Sequence, residues 1–298
     1  MTTPRELALE LRQRIAQRVA SRLSAHPAVS IVLVIGSVAS GQVDERSDVD
    51  LLVICQSEML SRSVREGLLA QVGTGWRFHE TQANPLFAEA DVDGLVDGVL
   101  VTVHYQTVTW IETVLRQVLE HGAMTTEHMP FRPYTLLGLF QRGWLLFDRE
   151  GLVRSWREQM HPFPAVLKTN LLHAFIPRLE EQRDELVATA ERDIGPRAFL
   201  FHLNWAVDAL FEILFAVNEV YDPADRRTER VVLPTLPTLP EQFLPRLTQV
   251  LQGPFDVEGA RYRAQLFAEL AREVLQQAKA PMKTEELSEH HTSGEALG

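Results

Sequence analysis

The chain has 298 residues, 45% hydrophobic and 23% charged, which is ordinary for a soluble protein and long enough for two domains with substantial cores. Its formal net charge of −11 argues against a nucleic-acid enzyme, which needs basic surface to compete for phosphates, and suits a small cationic substrate. Cys55 is the single cysteine, which excludes an intrachain disulfide; with no run of 18 apolar residues and no apolar signal core around Pro4, Arg5, Glu6 and Glu10, the expectation is a cytoplasmic protein with no membrane contact.

Leu7, Leu11, Ile15, Val19 and Leu23 recur every four residues and predict a helix over Pro4 to Ser24, which Pro27 stops. The apolar run Ile31 to Ile35 has the length of a buried strand. It ends in Gly36-Ser37, a pair that forces a tight turn, exposes backbone N–H groups to an anion and adds a hydroxyl donor. Eleven residues after Ser37, Asp48-Val49-Asp50 opens the apolar run Leu51 to Ile54, with Cys55 as a core residue behind it. Alternation along a strand puts Asp48 and Asp50 on one side, close enough to hold a divalent cation. Side by side without one, they would raise each other's pKa; bound Mg²⁺ or Mn²⁺ would keep both ionised. The ordered set of strand, Gly-Ser, polar segment and Asp-x-Asp reads as a site for a nucleoside triphosphate and its metal.

A helix is expected around Met59 to Val72 and a strand near Trp76 to Thr81. Asp91, Asp93 and Asp97 follow with a spacing unlike an EF-hand and read as turn residues in a loop. In the next strand, Val99 to Gln106, one face carries Val99, Val101, Val103 and Tyr105, and the other Leu100, Thr102, His104 and Gln106. Together these elements predict a small α/β (α+β) mixed sheet covered by helices.

From about Thr126 the pattern is helical: Arg132 to Arg142, a short extended piece at Trp144 to Asp148, Gly151 to Gln159, and Pro164 to Arg192, which Pro177 must kink or break. Pro196 opens a helix running to Asn218, the Pro-rich stretch Val232 to Pro240 is a connector, and Glu241 to Leu251 and Glu258 to Lys279 complete an all-α helical bundle. The expected domains are 1–125, 126–282 and a disordered polar tail at 283–298. On the helix to Asn218, Asn204, Asp208 and Glu212 recur every four residues opposite Phe199, Leu203, Leu210 and Leu214, as a pocket lining or an exposed stripe. Arg226, Arg227 and Arg230 follow the Asn218 to Pro223 turn, where a loop arginine reaching a triphosphate is chemically sensible.

The Gly36-Ser37 and Asp48-x-Asp50 constellation resembles the nucleotidyltransferase superfamily that includes DNA polymerase beta, whose signature adds a third acid on a later strand. Val101 to Tyr105 with the apolar helix after it is similar to the third-acid strand of kanamycin-type antibiotic nucleotidyltransferases. Trp144 to Gly151 and Phe215 to Pro223 look like segments of an uncharacterised bacterial family of predicted nucleotidyltransferases with a helical C-terminal half. The resemblance implies Gly36 and Ser37 on the triphosphate, Asp48 and Asp50 as catalytic metal ligands, and a helical glutamate as base for the acceptor, for which Glu181 is the candidate. The simpler reading of Glu181 is a solvated charged face, clustered with Glu180, Asp184 and Glu185 and with Arg178 and Arg183 as helical partners.

The chain departs from that signature at Thr102, which takes the third acid's place and brings no charge. The departure bears on turnover more than on nucleotide binding, because the third acid helps hold the ion that activates the attacking oxygen. His104, on the same face, could substitute as ligand or base, or be a partly buried histidine hydrogen-bonded within the sheet. The expected activity is transfer of a nucleoside monophosphate, with ATP as default donor, to a hydroxyl of a small molecule such as an aminoglycoside-like acceptor. A nucleotide-binding sensor without turnover and a transferase acting on a protein hydroxyl are the alternatives, and the protein is expected to be a monomer or homodimer.

Overall fold

The computed structural model describes residues 3–80, 90–125, 132–222 and 228–292, the last run without side chains beyond 279. Two compact units emerge, residues 1–167 with 221–231, and residues 168–220 with 232–298.

In the first unit, helix α1 (Pro4–Ser24) starts at a reciprocal cap: Thr3 Oγ1 accepts from Glu6 N at 3.2 Å and Thr3 N donates to Glu6 Oε2 at 2.6 Å. The main-chain donor at Thr3 holds the Glu6 carboxyl below its ordinary pKa. The buried face of α1 is Ala8, Arg12, Ile15, Ala16, Val19, Ala20 and Leu23. Leu7, counted on the apolar face by its spacing, is 55% exposed; the small residues Ala8, Ala16 and Ala20 let the helix lie close to the sheet instead.

Strands β1 (Val29–Ile35), β2 (Val49–Cys55), β3 (Thr74–Glu80), β4 (Ala90–Val96), β5 (Val99–Thr107) and β6 (Trp144–Asp148) form one mixed sheet in the order β3-β4-β5-β2-β1-β6. The central pair β2·β5 is parallel and the other pairs are antiparallel. One sheet face, with Val49, Leu51, Val53, Cys55, Val101, Val103 and Tyr105, joins Ile15, Val19 and Leu23 of α1 and Leu68 and Leu69 of α3 (Arg62–Leu69) in a common core. Burial raises the Cys55 thiol and the Tyr105 hydroxyl above their ordinary pKa values. The opposite face is buried at Ile31, Leu33, Leu52 and Ile54 and polar toward β4 and β5. Helix α2 is the short turn Gly36–Ala39, α4 is Val108–His121, α5 is Pro133–Arg142 and α6 is Leu152–Gln159.

One sequence expectation is corrected here, and of the two outcomes expected at Pro177 the break is excluded. Residues 90–96 are a strand, not a loop: β4 pairs on both edges, with β3 and β5, and Asp97-Gly98, at φ 51 and 78, is its hairpin turn to β5. Two-sided pairing overrides the low strand propensity of Asp91, Asp93 and Gly94. Helix α7 (Ala165–Glu191) runs unbroken through Pro177. Buried Leu171, Leu172, Phe175, Ile176, Leu179 and Leu186 on either side of the proline offset its lost hydrogen bond.

The second unit is helical, containing most of α7, then α8 (Pro196–Asn218), a 3-10 turn (Leu233–Thr235), α10 (Phe243–Gln252) and α11 (Val257–Thr292); the four-residue α9 (Thr228–Val231) belongs to the first. Helix α8 is long and apolar enough to cross a membrane by length and composition, and half of that stretch is buried. Its C-terminus is closed by Glu219 at φ 57, and Asn218 then holds the Pro-rich connector, accepting from Thr238 N at 2.7 Å and donating to Thr238 O at 2.9 Å. Helix α11 continues to Thr292, past residue 283 where the sequence pattern fades, and 293–298 lie outside the described residues.

Candidate functional site

The site is built where β1 ends. Ile35 is paired across to Asp50 of β2, and the chain then turns at Gly36 with φ +65, a conformation that glycine adopts without strain. A Cβ on Gly36 would lie 2.8 Å from Asp50 Oδ2, so the turn's main chain rests directly against the carboxylate. The turn is held from behind by Ser40 N to Gly36 O at 3.1 Å and Gln42 N to Ser37 O at 3.0 Å. Ser37 Oγ is buried and has no hydrogen-bond partner among the described residues. A buried hydroxyl of this kind is costly unless a ligand or water completes it.

Beside Asp50 on the neighbouring strand lies Thr102, the position at which the sequence resemblance leads one to expect a third acid. Asp50 is in register with Thr102 of the parallel strand β5, and Thr102 with Asp93 of β4. Thr102 Oγ1 donates to Asp93 Oδ1 at 3.0 Å, and Asp93 Oδ2 also meets His79 Nε2 at 3.2 Å. One step along, His104 Nδ1 and Asp91 Oδ1 are 2.7 Å apart, with side chains only 15% and 13% exposed. Asp91 and Asp93, expected in a turn, are therefore strand residues that bond the Thr102 and His104 side chains of β5; of the three aspartates only Asp97 is in a turn. The Asp-Gly pair between alternating runs, with Asp91 and Asp93 on one side and Val92 and Val96 on the other, was the available signal.

The residues present fit a metal–triphosphate in two respects: the left-handed Gly36 leaves space that a Cβ would fill, and the buried Ser37 hydroxyl lacks a partner among the described residues. Asp48 and Asp50, both half-buried, are hard oxygen donors of the kind Mg²⁺ takes. Among the described residues no group of three or more His, Cys, Asp or Glu is arranged to hold a metal ion, so further oxygens would come from the ligand, from water or from carbonyl groups.

The remaining candidates belong to other elements. Glu181 is exposed on α7, in the second unit, where it borders an open groove with Pro177, Arg178, Phe201 and Trp205; the Arg178 guanidinium lies 4.1 Å from the centroid of the Trp205 ring. Asn204 is exposed, Asp208 sits 4.0 Å from Arg178, and Glu212 is buried, so the three form neither one pocket wall nor one exposed stripe. Arg226 and Arg227 lie outside the described residues, and Arg230 is exposed on α9.

No protein-family model matches the chain, and no curated protein matches it. Among solved structures, the chain is similar to the crystal structure of a nucleotidyltransferase-like protein from Exiguobacterium sibiricum, at 13% sequence identity and a TM-score of 0.39, over 90% of this chain and 77% of that one.

Proposed function

We infer that the first unit binds a nucleoside triphosphate through Gly36 and Ser37 with a divalent cation held by Asp48 and Asp50, and transfers the nucleoside monophosphate to a hydroxyl on a small molecule. The observation that carries this reading is the Gly36 turn lying against the Asp50 carboxylate, beside a buried Ser37 hydroxyl with no partner among the described residues. A turn that can receive an anion, set beside carboxylates that can receive a cation, suits a ligand bearing both.

In this reading Gly36 lets phosphate oxygens approach the main chain, and the Ser37 hydroxyl donates to one of them. Asp50 is held by strand pairing on both sides, so the main chain that carries its carboxylate is in place before the ligand arrives. A bound Mg²⁺ or Mn²⁺ would supply charge neutralisation at the phosphate under attack. The acceptor oxygen bonds to the α-phosphorus, the bond to pyrophosphate breaks, and the acceptor proton passes to a base. Glu181 is the base that the sequence resemblance nominates, and Glu181→Gln tests it separately.

A second reading, a nucleotide-binding protein without turnover, is favoured by Thr102, a neutral side chain next to Asp50 whose hydroxyl is committed to Asp93. Two experiments in sequence test the site and then separate the two readings. Melting curves with each nucleoside triphosphate, with and without Mg²⁺ or Mn²⁺, are expected to show a metal-dependent rise that Asp48→Asn and Asp50→Asn abolish. Incubation with hydroxylated acceptors and mass analysis for an added monophosphate then distinguishes transfer from binding. Identical shifts in the wild type and both variants would remove the site.

A further inference from the structure

Asp50 and Asp48 are positioned by different means. Asp50 lies within the ladder, between Ile35 and Thr102. Asp48 comes one residue before β2 begins at Val49, so strand pairing does not fix it. The fixing comes from α1. Arg12 is 4% exposed, and its guanidinium donates from Nε to Ser47 O at 2.6 Å, from Nη2 to Glu45 O at 2.8 Å and from Nη1 to Ala8 O at 3.0 Å. Each of these bonds goes to a main-chain carbonyl. The Ser47 carbonyl belongs to the same planar peptide unit as the Asp48 nitrogen, so the short bond from Nε sets the plane from which the Asp48 side chain departs.

The captured loop is itself closed. Ser47 N donates to Asp44 O at 3.2 Å, Asp44 N donates to Ser47 Oγ at 2.9 Å, and Arg46 N donates to Asp44 Oδ1 at 2.9 Å. Two turns earlier on α1, Arg5 Nη2 donates to Gly41 O at 3.0 Å and Gln42 Oε1 at 2.5 Å, so α1 grips both ends of the segment joining Gly-Ser to Asp-x-Asp. A guanidinium can serve two carbonyls from one rigid plane; a lysine ammonium on a flexible stem cannot reproduce that fork.

We propose that Arg12 is a positioning residue for the metal site, holding the Ser47–Asp48 peptide so that the Asp48 carboxylate is presented beside that of Asp50. This rests on the nucleotide-and-metal reading of the site. The test is a metal titration of the ATP-induced melting shift in wild type, Arg12→Lys and Ser47→Ala, the last opening the turn while leaving the guanidinium in place. The expected result is that the Mg²⁺ or Mn²⁺ midpoint rises about 10-fold or more in both variants, as when an outer-shell partner of a metal ligand is lost, with the full shift recovered at saturating metal. A purely structural arginine would lower the melting temperature equally with and without ligand and leave the midpoint unchanged, which overturns the proposal; if Arg12→Lys does not fold, the Ser47→Ala midpoint alone decides. Absence of a metal-dependent shift in the wild type would instead sink the nucleotide reading itself, and this inference with it.

Discussion

Gly36 and Asp50 touch across the first two strands: a methyl group on the glycine would sit 2.8 Å from the aspartate Oδ2. The two halves of the sequence motif are thus close neighbours, and a side chain added at Gly36 must displace the Asp50 carboxylate.

Gly36→Ala therefore carries two penalties and Gly41→Ala one. Both glycines have positive φ, +65 and +68, but a Cβ on Gly41 meets nothing within 4 Å. Each alanine is expected to cost about 1–2 kcal/mol of stability from the left-handed backbone. Only Gly36→Ala should also lose the metal-dependent nucleotide shift, because it pushes the Asp50 carboxylate from its place. Differential scanning fluorimetry of both variants reads this directly, and a wild-type shift in Gly36→Ala would show that the contact is not part of a binding site.

If transfer is detected, Asp50→Asn should lower kcat by at least ~10²-fold, the scale expected when a charge partner of the transition state is removed. Ser37→Ala, which deletes the hydroxyl lacking a described partner, should chiefly raise the nucleotide KM. Steady-state kinetics with varied ATP separates these, and full turnover by the Asp50 variant would place the chemistry elsewhere.

The motif strands were legible because their signal is local: a saturated apolar run, a glycine requiring a left-handed turn, and alternating carboxylates. Strand β4 was not, because Asp91, Asp93 and Gly94 oppose a strand locally and only pairing on both edges makes one. Arg12 was equally hidden. Its charge reads as a solvent-facing helix position, and nothing in its neighbours announces that carbonyls more than thirty residues away, on Glu45 and Ser47, will take its donors. Pairings of that kind are set by tertiary packing, which periodicity does not encode.

Cys55 gives a pH-dependent prediction. Burial raises its thiol pKa, outweighing the lowering effects of a Leu60 backbone hydrogen bond and the Arg65 charge. The folded value then lies above the unfolded value of about 8.5, so the native state binds the proton more tightly. The associated stability is complete below that pH and is lost as pH rises toward the folded value. Cys55→Ala should flatten the alkaline limb of a stability–pH profile measured in urea. Native protein should also resist alkylation at pH 8, and rapid native-state labelling would contradict the burial.

Pro177 lies inside α7 and removes one helical hydrogen bond without breaking the helix. Pro177→Ala should stabilise the second unit by up to about 3 kcal/mol, the difference in helix-interior cost between the two residues. Unfolding followed by circular dichroism measures it. An unchanged or lower melting temperature would mean that the proline is compensated by a local arrangement that alanine disrupts.

Thr102 offers the sharpest test of the missing acid, because its place is fixed between Asp50 and Asp93. Thr102→Val removes the donor to Asp93 Oδ1 and should cost about 1 kcal/mol, with or without metal. Thr102→Asp puts a carboxylate between two others, and without metal it should be the less stable of the two variants. If the side chain faces a metal held by Asp48 and Asp50, added Mn²⁺ should restore part of that loss in Thr102→Asp and none in Thr102→Val. Rising transfer activity in Thr102→Asp would mark the natural protein as a weakened enzyme, whereas tighter metal binding without turnover would favour a binding role. Equal metal dependence in both variants and the wild type would place Thr102 outside the site, and a third ligand, if there is one, would then be sought at His104, already oriented by Asp91, or elsewhere.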